Sequence, residues 1–198
     1  MTQVGEPEIL TVRTFQDPGN PAPDALEVVR QFINTSTHEK PYDAFATVEA
    51  AARWIDGTGL LEHPVELDDE AGVERLRTAR EGLRALAVAN RSGEGYGPLI
   101  ALVNRVLAAA PVVVRLRKDG TSDLTPASES GVEAFLGRLF AIVHDNALAG
   151  RWERLKCCRQ CSWGFYDRSK NRSGQWCSMR VCGSRQKMRR ARARQAHG

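Results

Sequence analysis

Four cysteines near the C-terminus have spacing that suits a metal ion: Cys158-x2-Cys161, fifteen residues, then Cys177-x4-Cys182. A C-x2-C turn brings two thiolates to one ion and leaves backbone N–H groups free to stabilise their charge. A second pair from a distant element completes a tetrahedral shell, as Zn²⁺ prefers. Four thiolates leave no position for water, so such an ion is structural. The four-residue gap of the second pair is wide for a simple zinc ribbon. A redox C-x-x-C pair and incidental cysteines are the competing readings. Cys157 adds an ambiguity, because Cys157-x3-Cys161 could also chelate. The two-residue spacing makes the tighter turn, which selects Cys158 and leaves Cys157 as a spare thiol beside the metal.

All five cysteines fall within residues 157–182, and clustered pairs in a cytosolic chain are more often metal ligands than disulfides. Trp163, Phe165, Tyr166 and Trp176 lie among them. A module too small for an apolar core folds with a metal and a few large side chains in its place. The expected form is a short hairpin with Asp167–Gly174 (DRSKNRSG) as its polar loop. Stacking of Trp163 or Phe165 on nucleic-acid bases is the alternative use of these rings.

Charge divides the chain at the same place. Residues 151–198 hold 14 of the 28 Lys/Arg and only Glu153 and Asp167 of the 24 acids, a net +12 against −8 for residues 1–150. Such a split points to a polyanionic partner for the tail, the bland alternative being a solvated tail. After Gly183, SRQKMRRARARQ consists of good helix formers and places Arg185, Arg189 and Arg192 along one side. Lys187, Arg190 and Arg194 complete the candidate nucleic-acid contacts. A rigid metal module presenting a basic helix suits the major groove of DNA. Arg185, fixed by the knuckle, is the candidate for a base contact, and the farther arginines for phosphates.

The elements that must carry this module are mainly helical. Residues 1–23 are rich in Gly and Pro and read as irregular. Residues 24–150 form a helical domain, and 151–198 the zinc-binding module. Asp24 is placed to cap a first helix with Leu26, Val29, Phe32 and Ile33 inward. Thr47 caps a second, through Val48, Ala51, Trp54 and Ile55. A third runs from Asp69 to Asn90 with Val73, Leu76, Leu83 and Leu86 inward. A fourth runs from Pro98 to Ala110 with Leu99, Leu102, Val103 and Val106 on one side. VVVRLRKDGTSDLTP predicts one hairpin turning at Lys118-Asp119-Gly120. SGVE at Ser130–Glu133 reads as a capping box, opening a fifth helix with Val132, Phe135, Leu136, Leu139, Ile142 and Val143 as its core face.

No catalytic constellation emerges from this body. His38, His63 and His144 are isolated, phosphate-binding glycine loops and a G-x-S-x-G elbow are lacking, and Gly93–Gly97 reads as a connector. No apolar run approaches the ~20 residues of a membrane-spanning helix. The N-terminus carries acids where a secretory signal would be basic, which predicts a cytoplasmic protein, and the lack of a catalytic constellation predicts that it is not an enzyme.

Against known families, CGSR at Cys182–Arg185, within WCSMRVCGSRQKMRRARAR, resembles the Cys-Gly-Asn-Arg signature of the CGNR zinc finger, with Ser184 in place of Asn. FYDRSKNRSGQWCSM at 165–179 matches the run that precedes it. FINT at 32–35, WIDGTGLL at 54–61 and KDGT at 118–121 resemble the ABATE domain normally found before that finger. The resemblance spans about Ala25 to Ala193. It implies a bacterial, stress-linked transcription regulator with a DNA-contacting C-terminus and one structural Zn²⁺ held by Cys158, Cys161, Cys177 and Cys182. Ser184, small and polar like Asn, should keep the turn after Cys182; if the family Asn makes a bond across the knuckle or to a base, that bond is weakened or lost here, with zinc coordination unaffected. A protein-docking module and an RNA binder are the competing functions. Three regulatory readings stand open: a small-molecule effector in the helical domain, masking of the +12 tail by the −8 body, and Cys157 as an exposed redox sensor. A homodimer would suit an operator with two half-sites.

Overall fold

A computed structural model describes residues 20–37, 42–93 and 96–195, apart from the side chains of Pro98, Leu99, Arg190 and Arg194. Residues 1–19 of the irregular segment, His38, the Glu94-Gly95 part of the connector, and the Leu99, Arg190 and Arg194 side chains lie outside the described residues. In chain order the elements are α1 (Leu26–Ile33), β1 (Ser36–Thr37), β2 (Tyr42–Asp43), α2 (Val48–Asp56), α3 (Glu70–Ser92), α4 (Gly97–Ala109), β3 (Val112–Leu116), β4 (Ser122–Pro126), α5 (Gly131–Leu148), β5 (Leu155–Cys157), β6 (Gly164–Tyr166) and α6 (Ser184–Gln195). The architecture is mainly α, as the periodicity predicts. Among the described residues the strands form three two-stranded antiparallel pairs, β1–β2, β3–β4 and β5–β6.

Local chemistry explains most of the boundaries. Thr47 accepts the Ala50 N–H at 3.2 Å and starts α2. Asp69 accepts the Gly72 N–H at 2.7 Å and starts α3, which Gly93 ends in the left-handed conformation (φ +74°) that an L side chain disfavours. Two expected caps are not made. Asp24 sits at φ +48° ahead of α1, and the Glu27 carboxylate instead takes the Ala22 N–H at 2.7 Å. Ser130 has the extended backbone of a cap, but its hydroxyl donates to Glu66 at 3.1 Å and Glu133 pairs with Arg75 at 3.2 Å. A tertiary partner competes with the local one and wins at both ends of the SGVE box.

The core gathers Leu26, Val29, Phe32 and Ile33 of α1, Ile55 of α2, Val73, Leu76 and Leu83 of α3, Val103 and Val106 of α4, and Val132, Phe135, Leu136 and Leu139 of α5. Phe32, Phe45, Trp54 and Phe135 meet at its centre, with ring centroids 5.5–6.1 Å apart in tilted and edge-on pairs. Gly137 lets α5 lie against β4, since a Cβ there would stand 3.0 Å from Pro126. The pattern of α3 has a second layer. Arg77, Arg80 and Arg84 share the face of Val73, Leu76 and Leu83, and Arg80 and Arg84 are buried. Arg80 holds both oxygens of Asp43, at 2.6 and 2.7 Å, which fixes the β1–β2 hairpin that the sequence pattern did not announce.

Burial alone would raise the Asp43 pKa, but bonds from Arg80 and the Phe45 N–H outweigh it and hold the carboxyl below its ordinary 3.8. A lowered folded-state pKa gives stability that is full above 3.8 and lost as pH falls through the folded value. Asp43→Asn should therefore cost about 1.5–3 kcal/mol in urea unfolding at neutral pH. The gap from wild type should narrow below pH 3.8. A gap independent of pH would refute the pairing.

Candidate metal centre and basic helix

The first cysteine pair is built by the hairpin β5–β6, in which Leu155 faces Tyr166, Lys156 faces Phe165 and Cys157 faces Gly164. The hairpin turns at residues 158–163 and not, as expected, at 167–174. The Cys158 N–H bonds to the Trp163 carbonyl at 2.9 Å, and the Ser162 N–H to the Cys158 carbonyl at 2.9 Å. The C-x2-C sequence is thus itself the turn, closed by Ser162 in a left-handed conformation (φ +59°). The Gln160 N–H lies 3.5 Å from the Cys158 sulfur, the contact expected to favour a thiolate.

Strand alternation decides between the two adjacent cysteines. Leu155, Cys157 and Tyr166 share one face and enter the core of the helical body, whereas Lys156, Phe165 and then Cys158 turn the other way. The segment 167–174 is a separate loop tied to Asp167. That carboxylate takes Lys156 Nζ at 2.8 Å, the Ser169 N–H at 2.9 Å and the Gly174 N–H at 2.7 Å, and Lys156 also donates to the Arg172 carbonyl. Burial pushes the Asp167 pKa up, but these donors overcome it and bring it down to about 2.

The second pair is built on a turn at Met179–Gly183, which contains Cys182 and follows Cys177 by two residues. Ser178 accepts the Val181 N–H on its hydroxyl at 3.3 Å, and its carbonyl takes the Cys182 and Gly183 N–H groups. The Ser184 hydroxyl donates to the Met179 carbonyl at 3.3 Å, so a bond across the knuckle is present with Ser at this position. Phe165, Trp163 and Trp176 pack around the sulfurs, with Phe165 and Trp163 buried. Rings so enclosed are packing residues and offer no face to a base.

The sulfurs of Cys158, Cys161, Cys177 and Cys182 all lie within 4.8 Å of one another. The Cys161–Cys177, Cys177–Cys182 and Cys182–Cys161 separations are 3.6, 3.7 and 3.6 Å. A disulfide needs about 2.05 Å. The edge of a tetrahedron with Zn–S bonds of about 2.3 Å is about 3.8 Å. Hydrogen bonds from Cys161 and Cys177 lower the Cys158 pKa, and donating to Cys158 drives the Cys177 pKa up and that of Cys161 to about 12. Burial first, then the Cys158 charge, raises that of Cys182. Four sulfurs so placed cannot all ionise unless a cation shares them, and the donor set fits Zn²⁺.

Cys157 stands apart from this group. It is fully buried, its sulfur lies 3.7 Å from the Arg84 carbonyl, and burial pushes its thiol up to about 12. The redox-sensor reading needs an exposed thiol of lowered pKa and is overturned.

Beyond the knuckle, α6 carries six Lys/Arg and no acid over residues 184–195. Arg185, Lys187, Arg189 and Arg192 are exposed, and Arg189 reaches Gln160 of the C-x2-C turn at 3.4 Å. Sequence reasoning missed the residues that join this module to the body. Asn34, at the end of α1, donates to the Gly164 carbonyl at 2.9 Å and accepts the Gly164 N–H at 2.7 Å. Arg84 donates to the Ser162 carbonyl at 3.2 Å, Asn90 to the Trp152 and Leu155 carbonyls, and Asn20 to the Cys177 carbonyl at 2.7 Å. The one available signal was the placing of Arg80 and Arg84 on an apolar helix face. A groove of about 420 Å³ also lies between α3, α4 and α5, with Leu102, Val106 and Leu136 lining it beside Glu74, Arg75 and Arg105.

Iodoacetamide applied to the folded, zinc-loaded protein should leave Cys157 unmodified at neutral pH and alkylate it only in denaturant. Labelling of Cys157 in the folded state, read by peptide mass spectrometry, would contradict its burial.

Two family models match the chain. The ABATE model, described as "Putative stress-induced transcription regulator", covers residues 21–150, and the CGNR zinc finger model covers residues 154–195. Neither describes an enzyme family. No curated protein matches the chain. No helix among the described residues is long and apolar enough to cross a membrane. The first match spans well over half of the sequence, the second falls on the cysteine module, and the cofactor of that module is zinc: the chain belongs to the ABATE family and carries a CGNR zinc finger.

Proposed function

We propose that this protein is a DNA-binding transcription regulator. In this reading Cys158, Cys161, Cys177 and Cys182 hold one structural Zn²⁺, residues 151–198 form the DNA-contacting module, and residues 24–150 form a sensor domain. The observation that carries it is α6, an acid-free helix of six cations that begins at the knuckle itself. Bound zinc supplies rigidity and no chemistry. The protein's own groups do the rest: Ser178 and Ser184 brace the second turn, and Arg185 leaves the knuckle at a fixed position to meet a base edge. Lys187, Arg189, Arg190, Arg192 and Arg194 meet phosphates.

Selection from a random duplex library at physiological salt tests this, using zinc-loaded protein and Cys158→Ser. An enriched motif that the variant cannot recover supports a sequence-specific regulator. No enrichment with the fold intact overturns it in favour of a partner-docking module. With about five phosphates neutralised, the log–log salt slope should be near about −4.5, and Arg189→Ala should flatten it by about 0.9.

The groove beside α3 favours the effector reading over simple charge masking. Its apolar lining and the flanking Arg105 suit a small amphipathic carboxylate. Adding aliphatic and aromatic carboxylates should raise the melting temperature of wild type and not of Leu102→Arg, in which the groove is filled. Equal shifts in both would show that the groove is not the binding site.

A further inference from the structure

We infer that Asn34 and Arg84, both in the helical body, are positioning residues of the zinc site, so that the turn carrying two of its ligands is braced from outside the finger. This rests on Cys158 and Cys161 being ligands. Between these two cysteines and β6 stand only Ser162 and Trp163. The body grips both ends of that short stretch by its backbone, at the Ser162 carbonyl and at both polar groups of Gly164.

The grip is specific in three ways. Asn34 is buried and uses its amide as a second strand would, one donor and one acceptor on a single residue, with Arg30 adding a contact to the same carbonyl at 3.3 Å. Contact with α1 is close enough that a Cβ on Gly164 would stand 3.2 Å from Asn34 Oδ1 and 3.3 Å from Ile33 Cγ2. Ser162, which has the positive φ that disfavours an L residue, is held in that conformation by the Arg84 bond as well as by the turn's own bonds. Residues that orient metal ligands from the outer shell typically change affinity by 10- to 100-fold when removed. Here they sit about 80 to 130 residues upstream of the ligands.

The test compares full-length Asn34→Ala with Ile55→Val, a conservative core change in α2 that leaves the Asn34–Gly164 and Arg84–Ser162 bonds in place, by zinc competition against a chromophoric chelator. Co²⁺ titration adds the spectrum of the tetrahedral thiolate site. Asn34→Ala should bind zinc about 10- to 100-fold more weakly, while Ile55→Val stays within about twofold although it too lowers unfolding stability. Gly164→Ala, whose Cβ crowds Asn34 Oδ1 and Ile33 Cγ2 at the same contact, should weaken binding in the same direction as Asn34→Ala. Unchanged affinity in Asn34→Ala, or an equal loss in Ile55→Val, overturns the inference while leaving the four-cysteine site standing. A wild-type protein that takes up neither metal would instead overturn the site itself, and the inference with it.

Discussion

One buried guanidinium sets the relation between the two halves of this protein. Arg84 lies on α3 with its side chain 6% exposed, and a charge so enclosed must be fully paired. Its bonds go to the Ile33 carbonyl at 2.5 Å, the Ser36 carbonyl at 3.1 Å, the Ser162 carbonyl at 3.2 Å and the Glu81 carboxylate at 3.1 Å. The first of these satisfies a carbonyl at the end of α1 that helix geometry leaves without a partner. A single side chain thus ends α1, starts the link to β1 and holds the turn that carries Cys161. An uncharged replacement could not serve three elements, because only Arg offers five donors in a fixed fork.

Around that contact the hairpin β5–β6 belongs to two cores at once. Its inner face, Leu155, Cys157 and Tyr166, completes the apolar core of the helical body. Its outer face adds Phe165 to the cluster of Cys158, Cys177, Cys182 and Trp163. The metal cluster is too small to be stable on apolar burial alone, and zinc supplies what burial lacks. Because the two faces are the two sides of one pleated ribbon, the metal site and the helical core are mechanically continuous.

Charge is arranged differently inside and outside. The buried arginines of α3 are consumed by fixed partners, Arg80 by Asp43 and Arg84 by Glu81 and three carbonyls. Asp167, one of only two acids after residue 150, is likewise consumed by Lys156 and two backbone donors. What remains on α6 is cationic charge with no acid among its own residues to neutralise it. Glu153 is the other acid of the tail, and it pairs with Arg172 in the 167–174 loop. The uncompensated positive charge of α6 follows from this sorting more than from the net charge of the chain.

Much of this was readable from residue types and spacing. Period 3.6 located the main helices, Thr47 and Asp69 marked two starts, Lys118-Asp119-Gly120 marked the turn of β3–β4, and the cysteine spacings with CGSR pointed to the finger. These are local signals, set by backbone geometry within a few residues. The sequence could not say that Ser130 would spend its hydroxyl on Glu66, that β1 and β2 would pair through Arg80, or that the C-x2-C segment would itself be the hairpin turn. Nor could it seat Cys157 in one core and Cys158 in the other, a choice made when the β5–β6 pleat met α3. Such features depend on partners tens of residues away, and a buried polar group takes whichever partner folding brings within about 3 Å. Residue types and spacing determined the chemistry available to each segment, and tertiary structure decided which groups would satisfy one another.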